Sequence, residues 1–112
     1  MFAQTPEPPY IAVIFTSRRT QGDQGYSEMA EEIASAACDQ PGYLGIESVR
    51  DDEGNGITVS YWESMEAVKD WKQHARHRTA QAMGKSTWYE KYIVRICTVE
   101  REYSQATGRS SV

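Results

Sequence analysis

The first apolar run of the chain constrains its fold more than any other feature. It reads "YIAVIFTS", from Tyr10 to Ser17, and β-branched and aromatic residues over so short a length predict a strand rather than a helix. Both alternating sides of this strand are apolar, so both need a cover that excludes water. A last run, "YEKYIVRICTVERE" from Tyr89 to Glu102, has the same character and, at about 3.3 Å per residue, would extend over roughly 40 Å as one strand.

A helix and a hairpin are predicted after the first strand. Apolar residues recur at spacings of three and four from Tyr26 to Ala37, which is typical of an amphipathic helix that has Ser27 as its cap and ends before Pro41. The stretches "YLGIESVRD" and "ITVSYW" then alternate as strands do, and "DEGNG" between them supplies a turn. These two strands are expected to pair antiparallel.

A second helix is predicted from Glu63 or Ser64 to about Met83, where Gly84 takes the usual C-terminal glycine position. The order β-α-β-β-α-β predicts an α+β fold of the ferredoxin-like type, a four-stranded antiparallel sheet with two helices on one face. The folded domain is expected over residues 10–103. Residues 1–9, which are rich in proline, and residues 104–112, which are poor in apolar residues, are expected to be flexible tails.

Two helices can cover only one face of this sheet, yet both faces of the first and last strands are apolar. In the last strand one set is Tyr92, Val94 and Ile96, and the other includes Ile93 and Cys97. The simplest cover for the remaining face is the same face of a second copy. The sequence therefore predicts a homodimer whose sheets close on each other as a dimeric α+β barrel.

Composition excludes several kinds of partner. The net charge is −4 and the basic residues are scattered, so neither nucleic acid nor an anionic membrane surface is an expected partner. No apolar run approaches the roughly 20 residues that span a bilayer. Cys38 and Cys97 are the only cysteines and lack any metal-type spacing, which favours a reducing, cytoplasmic location.

The stretch "DWKQHARHR" in the second helix holds both histidines of the chain, His74 and His77. At about 100° per residue, Ala75 and Arg78 fall within about 60° of Trp71, His74 lies about 60° to one side, and His77 lies about 120° away. His74 is therefore expected to flank the inward stripe and His77 to lean toward solvent. The alternative is that both are ordinary surface residues. A metal site is not predicted, because a third ligand is lacking.

A groove at this stripe would have the usual make-up of a small-molecule site, apolar with a few convergent polar groups. Its expected lining is Trp71, His74, Ala75, Arg78 and Gln81, with His77 beside it. His74 is the candidate base for a phenolic or enolic proton, and Arg78 would hold the resulting oxyanion. In the alternative interpretation, Arg78 is a charge that reaches into solvent.

Trp88 is a further candidate substrate contact in the sequence. Like the other large aromatic side chains of the chain, it has an alternative role in the core or in the dimer interface.

The segments "PGYLGIESVR", "ITVSYWES", "WKQHARHRTAQ", "WYEKY" and "VRICTVEREY", in this order, resemble the antibiotic biosynthesis monooxygenase domain family of dimeric α+β barrels. The resemblance covers residues 10–103 and is greatest to the uncharacterised bacterial branch of the family. Members of the family include cofactor-independent oxygenases that oxidise phenols or quinols with molecular oxygen, and haem-degrading monooxygenases. The resemblance thus implies a homodimer that takes a small aromatic molecule.

Haem-degrading members use an Asn on the first strand, a Trp on the second helix and a His ten residues later. Here Trp71 matches the Trp, but Ser17 stands for the Asn and Gln81 for the His. Since glutamine is not a normal haem ligand, the resemblance implies a cofactor-independent monooxygenase acting on a phenolic, quinol or polyketide-like aromatic substrate. A haem-binding or haem-degrading monooxygenase, with His74 or His77 as ligand, and a non-catalytic small-molecule-binding barrel are the alternatives.

Overall fold

The computed structural model describes residues 2–23, 25–83 and 88–105, and its elements follow the predicted order. They are β1 (Tyr10–Arg19), α1 (Tyr26–Cys38), β2 (Tyr43–Arg50), β3 (Asn55–Trp62), α2 (Met65–Met83) and β4 (Tyr89–Val99). The strands of this part of the chain form an antiparallel sheet in the order β2-β3-β1-β4, so the apolar first strand is central. The ferredoxin-like fold is confirmed.

Several predicted boundaries differ from the structure. β1 continues two residues past Ser17, because Arg18 and Arg19 still pair with β4. β4 ends at Val99, three residues before Glu102.

The helix ends differ in their caps. Ser27 lies inside α1 rather than capping it, and its backbone N–H donates to the Asp23 carboxylate at 3.2 Å. Ser64 does cap α2, since its hydroxyl accepts from the Ala67 N–H at 3.1 Å. The predicted end at Gly84 lies outside the described residues.

The packed core lies at one end of the sheet, on the side that the helices cover. It consists of Ile11, Ala37, Trp62 and Val68, one residue from each of β1, α1, β3 and α2. Gly42 allows the close approach of α2 at this end. It has φ of 84°, and a Cβ there would come within 2.6 Å of the Ala67 Cβ.

Farther along β1 the helix side of the sheet is packed less tightly. Residues 11, 13, 15, 17 and 19 of β1 share this side, and the apolar ones after Ile11 are only half-buried. The helix residues opposite them are half-buried as well: Met29, Ile33, Trp71 and Ala75. The apolar side chains of this part of β1 and of the facing helices are thus less completely buried than those of the core.

The other face of the sheet is partly covered by the chain's own ends. The Ala3 N–H donates to the Glu47 carboxylate at 3.0 Å, and Glu102 accepts from the hydroxyls of Thr5 and Tyr10. That residues 1–9 and 104–112 are flexible tails stays a prediction.

Farther along the sheet, a row of side chains crosses all four strands of this face. The row is Val49, Ile57, Thr16 and Ile93, as the strand registers place them. Its three apolar members are 63%, 48% and 39% exposed. No helix in the described part of the chain is long and apolar enough to cross a membrane.

Candidate functional site

Three stacked rings connect the core to the polar half of α2. Trp62, which is fully buried, lies 5.7 Å from Trp71 with 22° between the ring planes. The imidazole of His74 also stacks with Trp71. The two ring centroids are 5.8 Å apart, with 27° between the ring planes. Spacings of nine and three residues thus bring the three rings together. That Trp71 forms the wall of a ligand groove stays a prediction.

Arg78 lies one turn beyond His74 and binds it directly. Its Nε–H donates to Nε2 of His74 at 2.9 Å, and both side chains are half-buried. Because Nε2 accepts this hydrogen bond, it holds no proton here, and the imidazole is the tautomer with its proton on Nδ1. The two residues predicted to act as base and anion holder are therefore adjacent. The guanidinium of Arg78 is hydrogen-bonded to Nε2 of His74, which is the nitrogen that would have to accept a proton from a substrate hydroxyl.

The other residues predicted on α2 take different positions. Ala75 is half-buried beside Trp71, where its small side chain leaves space, whereas His77 is exposed. The side chain of Gln81 lies outside the described residues. The histidines therefore differ in environment, as the helical angles predicted.

Ser17 belongs to a second cluster, at the far end of β1. It is 6% exposed, and its hydroxyl accepts from Nη2 of Arg50 at 2.8 Å. The guanidiniums of Arg50 and Arg19 lie 6.0 Å and 3.7 Å from the centre of the Tyr26 ring. Two cations thus share one aromatic ring, at the start of α1, beside a buried hydroxyl.

Trp88 lies in this second cluster and is 3% exposed. Its ring contacts Tyr26 edge-on at 6.1 Å, and its carbonyl accepts from Nη1 of Arg19 at 3.1 Å. The indole is thus packed as a wall of the cluster.

Tyr89 closes the second cluster from β4. Its hydroxyl donates to the Tyr26 hydroxyl at 3.3 Å, and its ring contacts Phe15 edge-on at 5.2 Å. Burial, followed by the hydrogen bond to Tyr26, raises the pKa of Tyr89 even though Arg50 and Arg19 act to lower it. The phenol therefore stays neutral at ordinary pH and can serve as a donor.

Both clusters lie on the helix side of the sheet. Sequence reasoning did not single out Arg19, Arg50 or Tyr26 as site residues. Strand alternation could have indicated Arg19. If the predicted first strand is extended by two residues past Ser17, Arg19 falls on the same side as Ser17. Arg50 reaches Ser17 only through the register of β2 with β3 and of β3 with β1, and no local pattern shows it.

The structure also has an open groove of about 540 Å³ that none of the predicted site residues lines. It lies between the first half of α2 and β4, and its lining is Met65, Glu66, Val68, Lys69, Lys72 and Ile96. Among the described residues no group of three or more His, Cys, Asp or Glu side chains is placed to hold a metal ion.

Comparison with known proteins gives close and distant relatives. The family described as Antibiotic biosynthesis monooxygenase matches residues 9–83. The uncharacterised protein YqjZ of Bacillus subtilis (strain 168) is 54% identical over 100 residues, which are 89% of this chain and 88% of that protein.

Two solved structures share the fold at low identity. A mutant of SnoaB, a cofactor-independent oxygenase from Streptomyces nogalater, has a TM-score of 0.68 and 8% identity over 83% of this chain and 95% of that chain. A mutant of MhuD with two manganese protoporphyrin IX molecules bound per active site has a TM-score of 0.63 and 18% identity, over 84% and 98%.

Proposed function

Because this chain belongs to the antibiotic biosynthesis monooxygenase family, we propose that it is a cofactor-independent monooxygenase. Its substrate is a small phenolic, quinol or polyketide-like aromatic molecule, and its oxidant is molecular oxygen. The observation that carries the proposal is the hydrogen bond from Arg78 to Nε2 of His74 above the ring of Trp71. It brings a base, a cation and an apolar wall to one place.

The reaction begins when a phenolic hydroxyl takes the place of Arg78 at His74. Nε2 has no proton, so it can accept the one that the hydroxyl gives up. The displaced Arg78 stays within reach of the new phenolate and neutralises its charge. Trp71 offers a flat apolar surface on which the ring stacks.

Oxidation then follows from the electron-rich phenolate. One electron passes to oxygen, which gives a ring radical and superoxide, and the two join as a peroxide anion at a ring carbon. The proton that His74 took from the phenol then converts this anion to a hydroperoxide. Loss of the proton on that carbon and of water leaves a carbonyl group. One oxygen atom stays in the product and the other leaves as water, while the substrate's own C–H bond supplies the two electrons.

The test is oxygen consumption with a panel of quinols, by the wild type and two histidine variants. His74→Ala should lower turnover at least about 100-fold, which is the usual contribution of a general base. His77→Ala is the matched control, because His77 is exposed on the same helix and should leave turnover unchanged. Circular dichroism verifies that both variants fold. Equal activity of His74→Ala and wild type would remove His74 from the mechanism.

A non-catalytic binding barrel is the alternative if no quinol is turned over. In that case ligand affinity, measured by calorimetry, remains while oxygen consumption is absent from the wild type itself.

Haem is the other alternative, suggested by the likeness to MhuD. The described residues do not fit an axial haem ligand: His74 is stacked on Trp71 and bound by Arg78, and His77 is exposed. Titration with haemin is expected to give no Soret shift. A saturable shift that disappears in His74→Ala would favour haem.

We further propose that the protein is a cytoplasmic homodimer. The exposed apolar row of Val49, Ile57 and Ile93 supports a second copy as the cover of this face. Cys38 and Cys97 are both free thiols, which supports a reducing location.

A further inference from the structure

The guanidinium of Arg50 fills the space that a side chain at position 56 would take. Gly56, its partner across β2 and β3, is buried, and a Cβ there would come within 2.6 Å of Cζ of Arg50 and within 2.8 and 2.9 Å of its Nη atoms. The plane of the guanidinium can lie close to the β3 backbone only because position 56 has no side chain. The strand registers place Arg50 in one row with Gly56 and Ser17, on the helix side of the sheet.

Two further contacts fix the orientation of this guanidinium. Nη1 donates to the Gly54 carbonyl at 2.5 Å, and Nη2 donates to the Ser17 hydroxyl at 2.8 Å. A guanidinium has five N–H donors, so donors remain beyond these two bonds. Ser17, which accepts from Arg50, keeps its own proton for another acceptor.

Arg19, the second cation of the cluster, has a different role. Its Nη atoms donate to four backbone carbonyls, those of Thr20, Gly22, Asp23 and Trp88. It therefore ties the end of β1 to the loop before α1 and to the start of β4. Its charge still adds to that of Arg50, since both lie over Tyr26 and both act on the pKa of Tyr89.

Among the described residues no carboxylate is seen in an ion pair with Arg50 or Arg19, although the pKa of Asp23 is lowered by its hydrogen bond to Ser27 and, to a smaller extent, by the charge of Arg19. The ion pair that this part of the chain contains joins Arg18 to Glu90, at 3.6 Å, on the other face of the sheet. Two half-buried cations beside neutral hydroxyls repel each other, and an anion between them relieves that repulsion. The neighbouring phenol of Tyr89 is neutral and donates to Tyr26, whose own hydroxyl proton remains for another acceptor.

From this arrangement we propose that Arg50, with Ser17 and Arg19, binds the carboxylate of the substrate, which is therefore an aromatic acid. Arg is suited to a carboxylate because its planar fork offers two parallel donors. The cluster and the His74–Arg78 pair lie on the same side of the sheet, so a ligand whose carboxylate is held at Arg50 has its ring on the side where α2 carries His74 and Arg78. The inference rests on the proposed function only in naming this ligand a substrate.

The experiment compares two ligands by calorimetry in oxygen-free buffer. One is a dihydroxybenzoate and the other the dihydroxybenzamide with the same ring substitution, which has the same shape without the charge. The wild type should bind the acid at least about tenfold more tightly than the amide. Equal affinities, or failure of the acid to bind, would overturn the proposal.

Three variants locate the preference. Arg50→Gln should abolish it, and Arg50→Lys, which keeps the charge but lacks the planar fork, should lower it severalfold. Arg18→Gln removes an exposed guanidinium from the opposite face and should leave the preference intact. A preference that is unchanged in Arg50→Lys contradicts the inference even if Arg50→Gln fails to fold.

Oxygen consumption with the same two ligands separates this proposal from the proposed function. A preference for the acid without turnover leaves the anion site in place and refutes the oxygenase. Turnover with no preference refutes the anion site alone.

Discussion

Trp71 connects the packed end of the molecule to its reactive half. Its ring system stacks both with the fully buried Trp62 and with His74. The indole is half-buried rather than buried, so it packs against the core and still has solvent-accessible surface. A residue that the helical periodicity places on the inward stripe is thus also adjacent to the polar half of α2.

Replacement of Trp71 by Ala should lower the free energy of unfolding by about 2–3 kcal/mol, less than the roughly 3–5 kcal/mol typical of a fully buried aromatic side chain. Trp71→Phe keeps a ring on Trp62 and should retain most of the stability. Urea denaturation with a constant m-value measures both. A loss below about 1 kcal/mol for Trp71→Ala would mean that the stack on Trp62 contributes little to the core.

Among the residues of the candidate site, those on α2 could be predicted from the sequence better than the others. Trp71, His74 and Arg78 lie three and four residues apart on one helix, and helical geometry alone brings them together. Arg50 and Ser17 are 33 residues apart, and their contact depends on the registers of three strands. No pattern within a short window contains that information.

The two helices begin by different means. Ser64 caps α2 with its hydroxyl, whereas α1 follows Gly25 without a side-chain cap, and Asp23 instead accepts from Ser27 and Gly25. The spacing predicted both helices, but it assigned the wrong residue to the start of α1. A serine at a helix start is as compatible with the first turn as with the cap, and the loop before it decides which applies.

Ser64→Ala should therefore destabilise the protein by about 1 kcal/mol, because the Ala67 N–H loses its acceptor at the start of α2. Ser35→Ala is the matched control. Ser35 is exposed within α1, where alanine has the higher helix propensity, so this change should be neutral or slightly stabilising. Thermal unfolding of the two variants side by side measures the difference. Equal melting temperatures would contradict a capping role for Ser64.

Apolar patterning predicted the whole arrangement of strands and helices, because each element is long enough to show its period. The strand ends were less predictable: β1 includes Arg18 and Arg19, which look like loop residues until their pairing with β4 is known. The sequence also showed that β1 is apolar on both sides. The structure shows that the chain's own first residues cover part of the second side, through Ala3 at Glu47 and Thr5 at Glu102.

The first residues of the chain do not cover the apolar row that runs through Ile57. Ile57 is 48% exposed and pairs with Val49 on one side and Thr16 on the other. If a second copy covers this face, Ile57→Lys places a charge in an apolar interface and should convert the dimer to a monomer. Gln73→Lys adds the same charge to the exposed side of α2 and should leave the dimer intact. Sedimentation equilibrium at micromolar concentration distinguishes the two species, and a wild type that sediments as a monomer would show that this face has another cover.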